Sequence, residues 1–215
     1  MYLSKISLAP GGAGQVIAQV LERNGAYAEH QLLWQLFSED SQRSFLFRQE
    51  MAAGGMQFYV LSENQPDAHP GFRINCKAFH PRLQPGQKLA FSLRANPTIC
   101  SDHKRHDVLM HAKQASRRQG FSPEQCQTAM EQAAQDWLGQ GRRAQEWGFS
   151  LDVPALVEGY MQHQSRKKGA LIRFSSVDYQ GVLTVRDPDR FWHQYRQGFG
   201  RSKAMGCGLM LIKPV

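Results

Sequence analysis

Polar and apolar positions alternate over Tyr2–Ala9, the pattern of a half-buried strand, and the run stops at Pro10-Gly11-Gly12-Ala13-Gly14. A short helix is expected over Gln15–Glu22. Beyond Asn24-Gly25 a stronger helical pattern covers Ala26–Phe37, where Leu33, Trp34, Leu36 and Phe37 build a broad apolar face. Period two then returns. Ser44–Met51 and Met56–Ser62 read as strands joined in a hairpin through Ala52-Ala53-Gly54-Gly55, Asn64–Gly71 as a loop, and Phe72–Phe79 and Lys88–Ala95 as two further strands.

Asn96-Pro97 breaks the pattern and the charge rises through His103-Lys104-Arg105-His106, so the chain is divided after Pro97 into domains 1–97 and 98–215. The second half opens with an apolar run, Val108–Lys113, read as a strand. A helix starts at Ser122-Pro123-Glu124, with Ser122 as N-cap and Pro123 at the first helical position, and runs to about Leu138. Phe149–Met161 and Leu171–Arg186, rich in Val, Leu, Phe and Tyr, read as long strands around a basic turn, Gln162–Gly169. Asp187-Pro188-Asp189 starts a last helix to about Gln197, and Leu209–Lys213 closes the chain as a strand. Each half thus runs strand, helix, strands, with strands added. Two ferredoxin-like (RRM-like) α+β domains in tandem, with antiparallel sheets, fit that order.

Composition narrows the function. A hydrophobic fraction of 41% supports real cores, and no apolar run approaches the roughly 20 residues that span a bilayer. The start, Met1-Tyr2-Leu3-Ser4-Lys5-Ile6, lacks the pattern of a secretion signal, so a cytoplasmic protein is expected. The four cysteines are far apart and make no CxxC pair, which argues against a disulfide framework. A net charge of +8 points to a polyanionic partner, because lysines and arginines bound to nucleic acid release its counterions. A membrane surface would instead call for a basic amphipathic helix, and none stands out.

Among groups that could carry chemistry, Tyr27 and His30 lie three residues apart on one expected helix, which puts their side chains on one face. An imidazole titrates near neutrality and can give or take a proton, whereas an ordinary phenol is only about 0.1% ionised at pH 7. His30 is the better proton-transfer group of the two, and Tyr27 more readily orients an attacking hydroxyl, becoming a base only beside a cation; by spacing alone the pair is equally an ordinary helix surface. The tail Gly198-Phe199-Gly200-Arg201-Ser202-Lys203-Ala204-Met205-Gly206-Cys207-Gly208 combines four glycines with two cations, a composition that lets backbone N–H groups approach phosphate. It lacks the GK[ST] of a nucleotide-triphosphatase loop, as does Gly11–Gly14. Within it Arg201 and Ser202 are assigned to RNA binding. So are Arg142, Arg143, Arg166, Lys167 and Lys168, with Arg94, Lys104 and Arg105, and Arg117 and Arg118 extend the same surface. Cys100, His103, His106 and His111 lack the spacing and fourth ligand of a zinc finger, and no acidic cluster suits two magnesium ions. A reaction without metal or other cofactor is expected.

These residues together resemble the CRISPR-associated CasE family, the precursor-CRISPR-RNA endoribonucleases of the type I-E Cascade complex. The resemblance rests on Met1–Lys5, on Tyr27–His30 followed by Gln31-Leu32-Leu33-Trp34-Gln35-Leu36-Phe37, on Phe45-Leu46-Phe47 and on Leu93-Arg94-Ala95-Asn96-Pro97. It continues through Gly181-Val182-Leu183-Thr184-Val185 to Gly198–Leu209. Membership implies two ferredoxin-like domains and metal-independent cleavage of a repeat-derived RNA hairpin. The mature guide RNA would be retained beside the other Cascade subunits. It also implies that His30 is the catalytic histidine and Tyr27 its companion; in such a reaction a nearby cation such as Lys203 would stabilise the charge on the scissile phosphate, unless the loop mainly shapes the groove. The alternative within the same architecture is an RNA-binding subunit that does not cut. Two segments depart from the pattern: Gly11–Asn24 is longer than the family's compact connection, and Ser116–Gly148 matches loosely.

Overall fold

The computed structural model describes residues 1–24, 26–53, 55–101, 103–139, 142–167 and 170–215, with the side chains of residues 22–26, 142 and 165–170 left aside. It divides into two compact units. The first comprises Met1–Arg82 with His163–Phe174 and Ser202–Leu209, and the second Leu83–Gln162 with Ser175–Arg201 and Met210–Val215.

In the first unit β1 (Tyr2–Leu8) leads to α1 (Gly12–Asn24) and α2 (Ala26–Trp34), then β2 (Phe45–Ala52), β3 (Gly55–Ser62) and β4 (Phe72–Ala78). The sheet has the order β2-β3-β1-β4, and every neighbouring pair is antiparallel. Alternation sets which side chains turn inward: Ile6 is in register with Phe58 and Ile74, and Phe47 with Val60. Those residues meet Ile17 and Leu21 of α1, Ala28 and Leu33 of α2, and Leu36, Phe37, Phe45 and Phe72 in one core. The long Gly11–Asn24 segment, where a short helix was expected over Gln15–Glu22, carries the longer α1, which closes the core with Ile17 and Leu21.

The second unit contains β5 (Lys88–Ala95), β6 (Thr98–Ser101), β7 (Lys104–Asp107), α3 (Val108–Arg118), α4 (Pro123–Gly139), α5 (Arg142–Glu146) and β8 (Phe149–Leu151). It continues with the first part of β9 (Leu156–Lys167) and the last part of β10 (Ala170–Val185), the stretch His163–Phe174 belonging to the first unit, and with α6 (Pro188–Gln197) and β11 (Met210–Pro214). Its sheet runs β11-β5-β10-β8, with β9 paired to β10 off that path. Read as β5-α4-β8-β10-α6-β11, this is the ferredoxin-like order, in which the first and third strands of the motif lie side by side. The first unit has the same strand order without a helix between β3 and β4. No helix among the described residues is long and apolar enough to cross a membrane.

Four sequence expectations change. The division expected after Pro97 falls at Arg82 and Leu83, because β5 pairs with β10 (Leu93 with Tyr179) and with β11 (Leu93 with Met210). Val108–Lys113 is the first half of α3, not a strand. The Asp107 carboxylate accepts a hydrogen bond from the Met110 N–H at 2.9 Å, and Val108, Leu109 and Ser116 are buried on one helical face. Phe149–Met161 is two strands interrupted at Asp152-Val153-Pro154, where proline offers no N–H to a ladder. The charged stretch after Pro97 is a small hairpin, β6–β7, with Ile99 opposite His106.

Candidate active site

Helix α2 carries Tyr27 and His30 on one face, as their spacing requires. Their ring centroids are 6.2 Å apart with planes inclined by 26°. His30 is half-buried and its other neighbours are also aromatic: Trp34 at 5.4 Å, edge-on, Phe45 at 5.8 Å, stacked, and Phe47 at 6.5 Å. Trp34 lies one helical turn on, and Phe45 and Phe47 are the inward positions of β2. The imidazole is thus held by rings from two elements, which fixes its orientation and lowers the polarity around it. Tyr27, His30, Gln31, Trp34 and Gln35 line an open cleft of about 470 Å3. A group of this kind, oriented, partly desolvated and facing a cleft, is suited to proton transfer with a bound substrate.

The glycine-rich segment approaches the same helix. Lys203–Met205 forms a 3-10 turn that packs on α2 and β2 within the first unit. Ser202, just before it, has φ 52 and ψ 33, a left-handed conformation rare for a residue with a side chain, and its carbonyl accepts from the Met205 N–H at 2.8 Å. Gly206 follows with φ +77, and a Cβ built on it would lie 3.3 Å from Phe47 Cε2 and 3.9 Å from Glu29 Oε2. Gly206 therefore seats the loop on Phe47, which also touches His30, and the half-buried Lys203 belongs to the element resting on the histidine's helix.

The other cations fall into three groups. Lys104 and Arg105 are exposed on β7, and Arg201, also exposed, bridges Asn96 in the second unit. Arg94 is engaged internally: its Nε and Nη2 donate to the two carboxylate oxygens of Asp178, each at 2.8 Å. Arg143 lies over Trp137 at 5.1 Å and Trp147 at 5.7 Å and donates to the Trp137 carbonyl at 3.1 Å; partial burial lowers its pKa. Arg142 opens α5 and Arg166 and Lys167 end β9, but their side chains, and all of Lys168, lie outside the described residues. Among the described residues no group of three His, Cys, Asp or Glu could hold a metal ion. His106 and His111 sit 5.4 Å apart as a ring pair.

Sequence reasoning missed the aromatic wall around His30 and the buried Glu29 beneath Gly206. Trp34 was visible at four residues from His30, but its apolar character assigned it to the core. Phe45 and Phe47 carried only the signal of a buried strand.

The model of a family described as CRISPR associated protein matches residues 1–214. The CRISPR system Cascade subunit CasE of Escherichia coli K12 is 32% identical over 222 residues, covering 100% of both chains. The CRISPR-associated endoribonuclease Cse3 of Thermus thermophilus is 29% identical over 237 residues, again covering 100% of both. A structure of Thermus thermophilus Cse3 bound to an RNA representing a pre-cleavage complex superposes with a TM-score of 0.71 at 27% identity, covering 99% of this chain and 98% of that one. The similarity runs from end to end and includes the helix of Tyr27 and His30 and the glycine-rich tail, and on it the chain belongs to the CRISPR-associated CasE family.

Proposed function

We propose that this chain is an endoribonuclease that binds the stem-loop of CRISPR repeat RNA, cuts the precursor to mature guide RNA without a metal ion, and stays with the product as a Cascade subunit in the cytoplasm. The observation that carries the reading is the placement of Tyr27 and His30 on one face of α2, with the Lys203 turn packed on that helix, in a chain whose relatives are named CasE and Cse3.

The ribose 2′-hydroxyl next to the scissile phosphate attacks phosphorus in line. The new 2′-O–P bond forms as the P–O5′ bond breaks, leaving a 2′,3′-cyclic phosphate and a 5′-hydroxyl. One proton leaves the 2′-oxygen and one reaches the 5′-oxygen. His30 handles one of these transfers, Tyr27 orients the reacting hydroxyl, and Lys203 offsets the charge that grows on the phosphoryl oxygens. Lys104, Arg105, Arg201 and Ser202, with Arg142, Arg166, Lys167 and Lys168, supply the backbone-holding surface. Arg94, paired with Asp178, and Arg143, over Trp137 and Trp147, serve mainly as structural cations.

The test is single-turnover cleavage of the cognate repeat hairpin in EDTA by the wild type and His30→Ala. Cleavage by the wild type and a loss of about 100- to 10,000-fold in the variant, at unchanged RNA affinity, is expected. Intact RNA with the wild type would leave a binding subunit that does not cut, loss of cutting on adding EDTA would reject the metal-free route, and a variant as fast as wild type would remove His30 from the mechanism.

A further inference from the structure

Helices α3 and α4 are joined by a turn whose backbone is fixed from both sides. At the end of α3 the Phe121 N–H donates to the Ser116 carbonyl at 3.1 Å and the Gly120 N–H to the Arg117 carbonyl at 3.1 Å, with Gly120 at φ +79. That is the paired closure of a helix by a left-handed glycine. At the start of α4 the Gln125 N–H donates to Ser122 Oγ at 3.2 Å and the Ser122 N–H to Gln125 Oε1 at 2.9 Å, a reciprocal cap. Phe121 sits between the two caps. In such closures the residue after the glycine usually packs on the residue that here is Ser116, which offers no apolar surface. The phenyl ring is accordingly 43% exposed although its backbone is held rigidly.

Beside it is a cleft of about 190 Å3 in the second unit. Cys126 and Met130, 4% and 7% exposed, contribute buried apolar sulfur side chains to its lining. Lys113 and Arg117, one helical turn apart on α3, supply its charge, and among the described residues no carboxylate lines it. Its volume is below that of pockets for drug-sized ligands and suits a single planar ring.

We propose that this cleft binds one unpaired nucleotide of single-stranded RNA flanking the repeat hairpin, the base stacking on Phe121 and the adjoining phosphates meeting Lys113 and Arg117. The inference rests on the RNA-cleaving reading above and adds a second contact to it. A base inside a stem already has both faces stacked, so only an unpaired one can offer a face to Phe121. An exposed aromatic ring on a fixed backbone, with two cations beside it, is the arrangement that holds single strands without reading their sequence, since every base has a π-face.

The experiment compares two RNAs made uncleavable by a 2′-deoxy nucleotide at the cut: the bare repeat hairpin, and the same hairpin with single-stranded arms of about eight nucleotides, a length typical of single-strand sites. Affinities are measured for the wild type, Phe121→Ala, Phe121→Tyr and Arg117→Gln. The arms are expected to tighten wild-type binding. Phe121→Ala should lose about tenfold on the armed RNA and nothing on the bare hairpin, Phe121→Tyr should keep the gain, and Arg117→Gln should lose part of it together with part of its salt dependence. If the arms add nothing, or add the same factor in wild type and Phe121→Ala, the cleft does not take RNA, and an aromatic side chain of a protein partner becomes its occupant. Cleavage of the all-ribose hairpin by the wild type is read in parallel. Its absence would reject the endoribonuclease reading while leaving the comparison of arms decisive for the cleft.

Discussion

Replacing Gly206 with alanine tests whether the glycine-rich loop is seated for the reaction. The position has φ +77, and the added methyl would stand 3.3 Å from Phe47 Cε2. A left-handed backbone costs an L-residue roughly 1–2 kcal/mol. Phe47 is fully buried among Phe45, Phe58 and His30, so the ring has little room to retreat and the loop has to move instead, by a few tenths of an ångström. With a urea dependence of about 2 kcal/mol per molar, the unfolding midpoint of Gly206→Ala should fall by about 0.5–1 M. A misplacement of about 1 Å at a catalytic group can cost about 100-fold, so a smaller shift of the Lys203 turn should slow single-turnover cleavage about 3- to 10-fold. Affinity for an uncleavable hairpin should barely change, because most of the cations proposed to hold the RNA lie outside this turn. Urea unfolding, single-turnover cleavage and binding are measured on the same preparation. An unchanged midpoint would refute the seating of the loop on Phe47. A lowered midpoint with wild-type cleavage would show that the seat is structural and that Lys203 has no part at the scissile phosphate.

Two further predictions separate structural charges from functional ones. Arg94→Ala leaves the Asp178 carboxylate, about one-quarter exposed, without its bidentate partner, and should cost about 1–2 kcal/mol in urea unfolding while the salt dependence of RNA binding stays that of the wild type; a shallower salt slope would return Arg94 to the RNA surface. Asp67 accepts from the Ser38 N–H at 3.1 Å and the Ser38 hydroxyl at 2.7 Å, and these bonds hold its carboxyl below the usual range. Because the folded value is the lower one, the stabilisation is present above the unfolded pKa of about 4 and is lost as pH falls through the folded value. Asp67→Asn should therefore flatten this part of the stability profile between about pH 5 and the acid limit, as read by urea unfolding at a series of pH values; a profile identical to wild type would discard the linkage.

The elements legible in the sequence were those with a clear local signal. β1 and β5 alternate, β2 and β3 are rich in strand-forming apolar residues, and α4 and α6 announce themselves by Ser122-Pro123 and Asp187-Pro188. Val108-Leu109-Met110 is too short to show a period, and the choice of helix over strand is made by the Asp107 side chain at its start. β5 was legible as a strand but its sheet was not. Its partners, β10 and β11, lie far along the chain, and pairing at that range leaves no local mark. The same distinction divides the site. Tyr27 and His30 are neighbours on one helix and could be paired from their spacing, whereas the rings of Phe45 and Phe47 reach His30 only through the register of β2 in the folded sheet.

Charge shows the limit most clearly. A sequence gives the sign of Arg94 and Arg143 but not the company they keep: Arg94 pairs with Asp178, and Arg143 lies over the rings of Trp137 and Trp147. The glycines of the tail follow the same logic. Gly200, at φ +76, lies against the Asn96 carbonyl and Trp137 in one unit, and Gly206 lies against Phe47 in the other. Their lack of a side chain is already required by packing, so it is not in itself a measure of how closely the backbone can approach phosphate. The proposed handling of phosphate by the segment then rests on Arg201 and Lys203, the residues on either side of the left-handed Ser202 in the chain. Holding a serine in that conformation costs about 1–3 kcal/mol, which the packing around Gly206 in the same unit must offset. Each glycine thus answers first to contacts within its own unit, so glycine content by itself is a weak sign of an anion site.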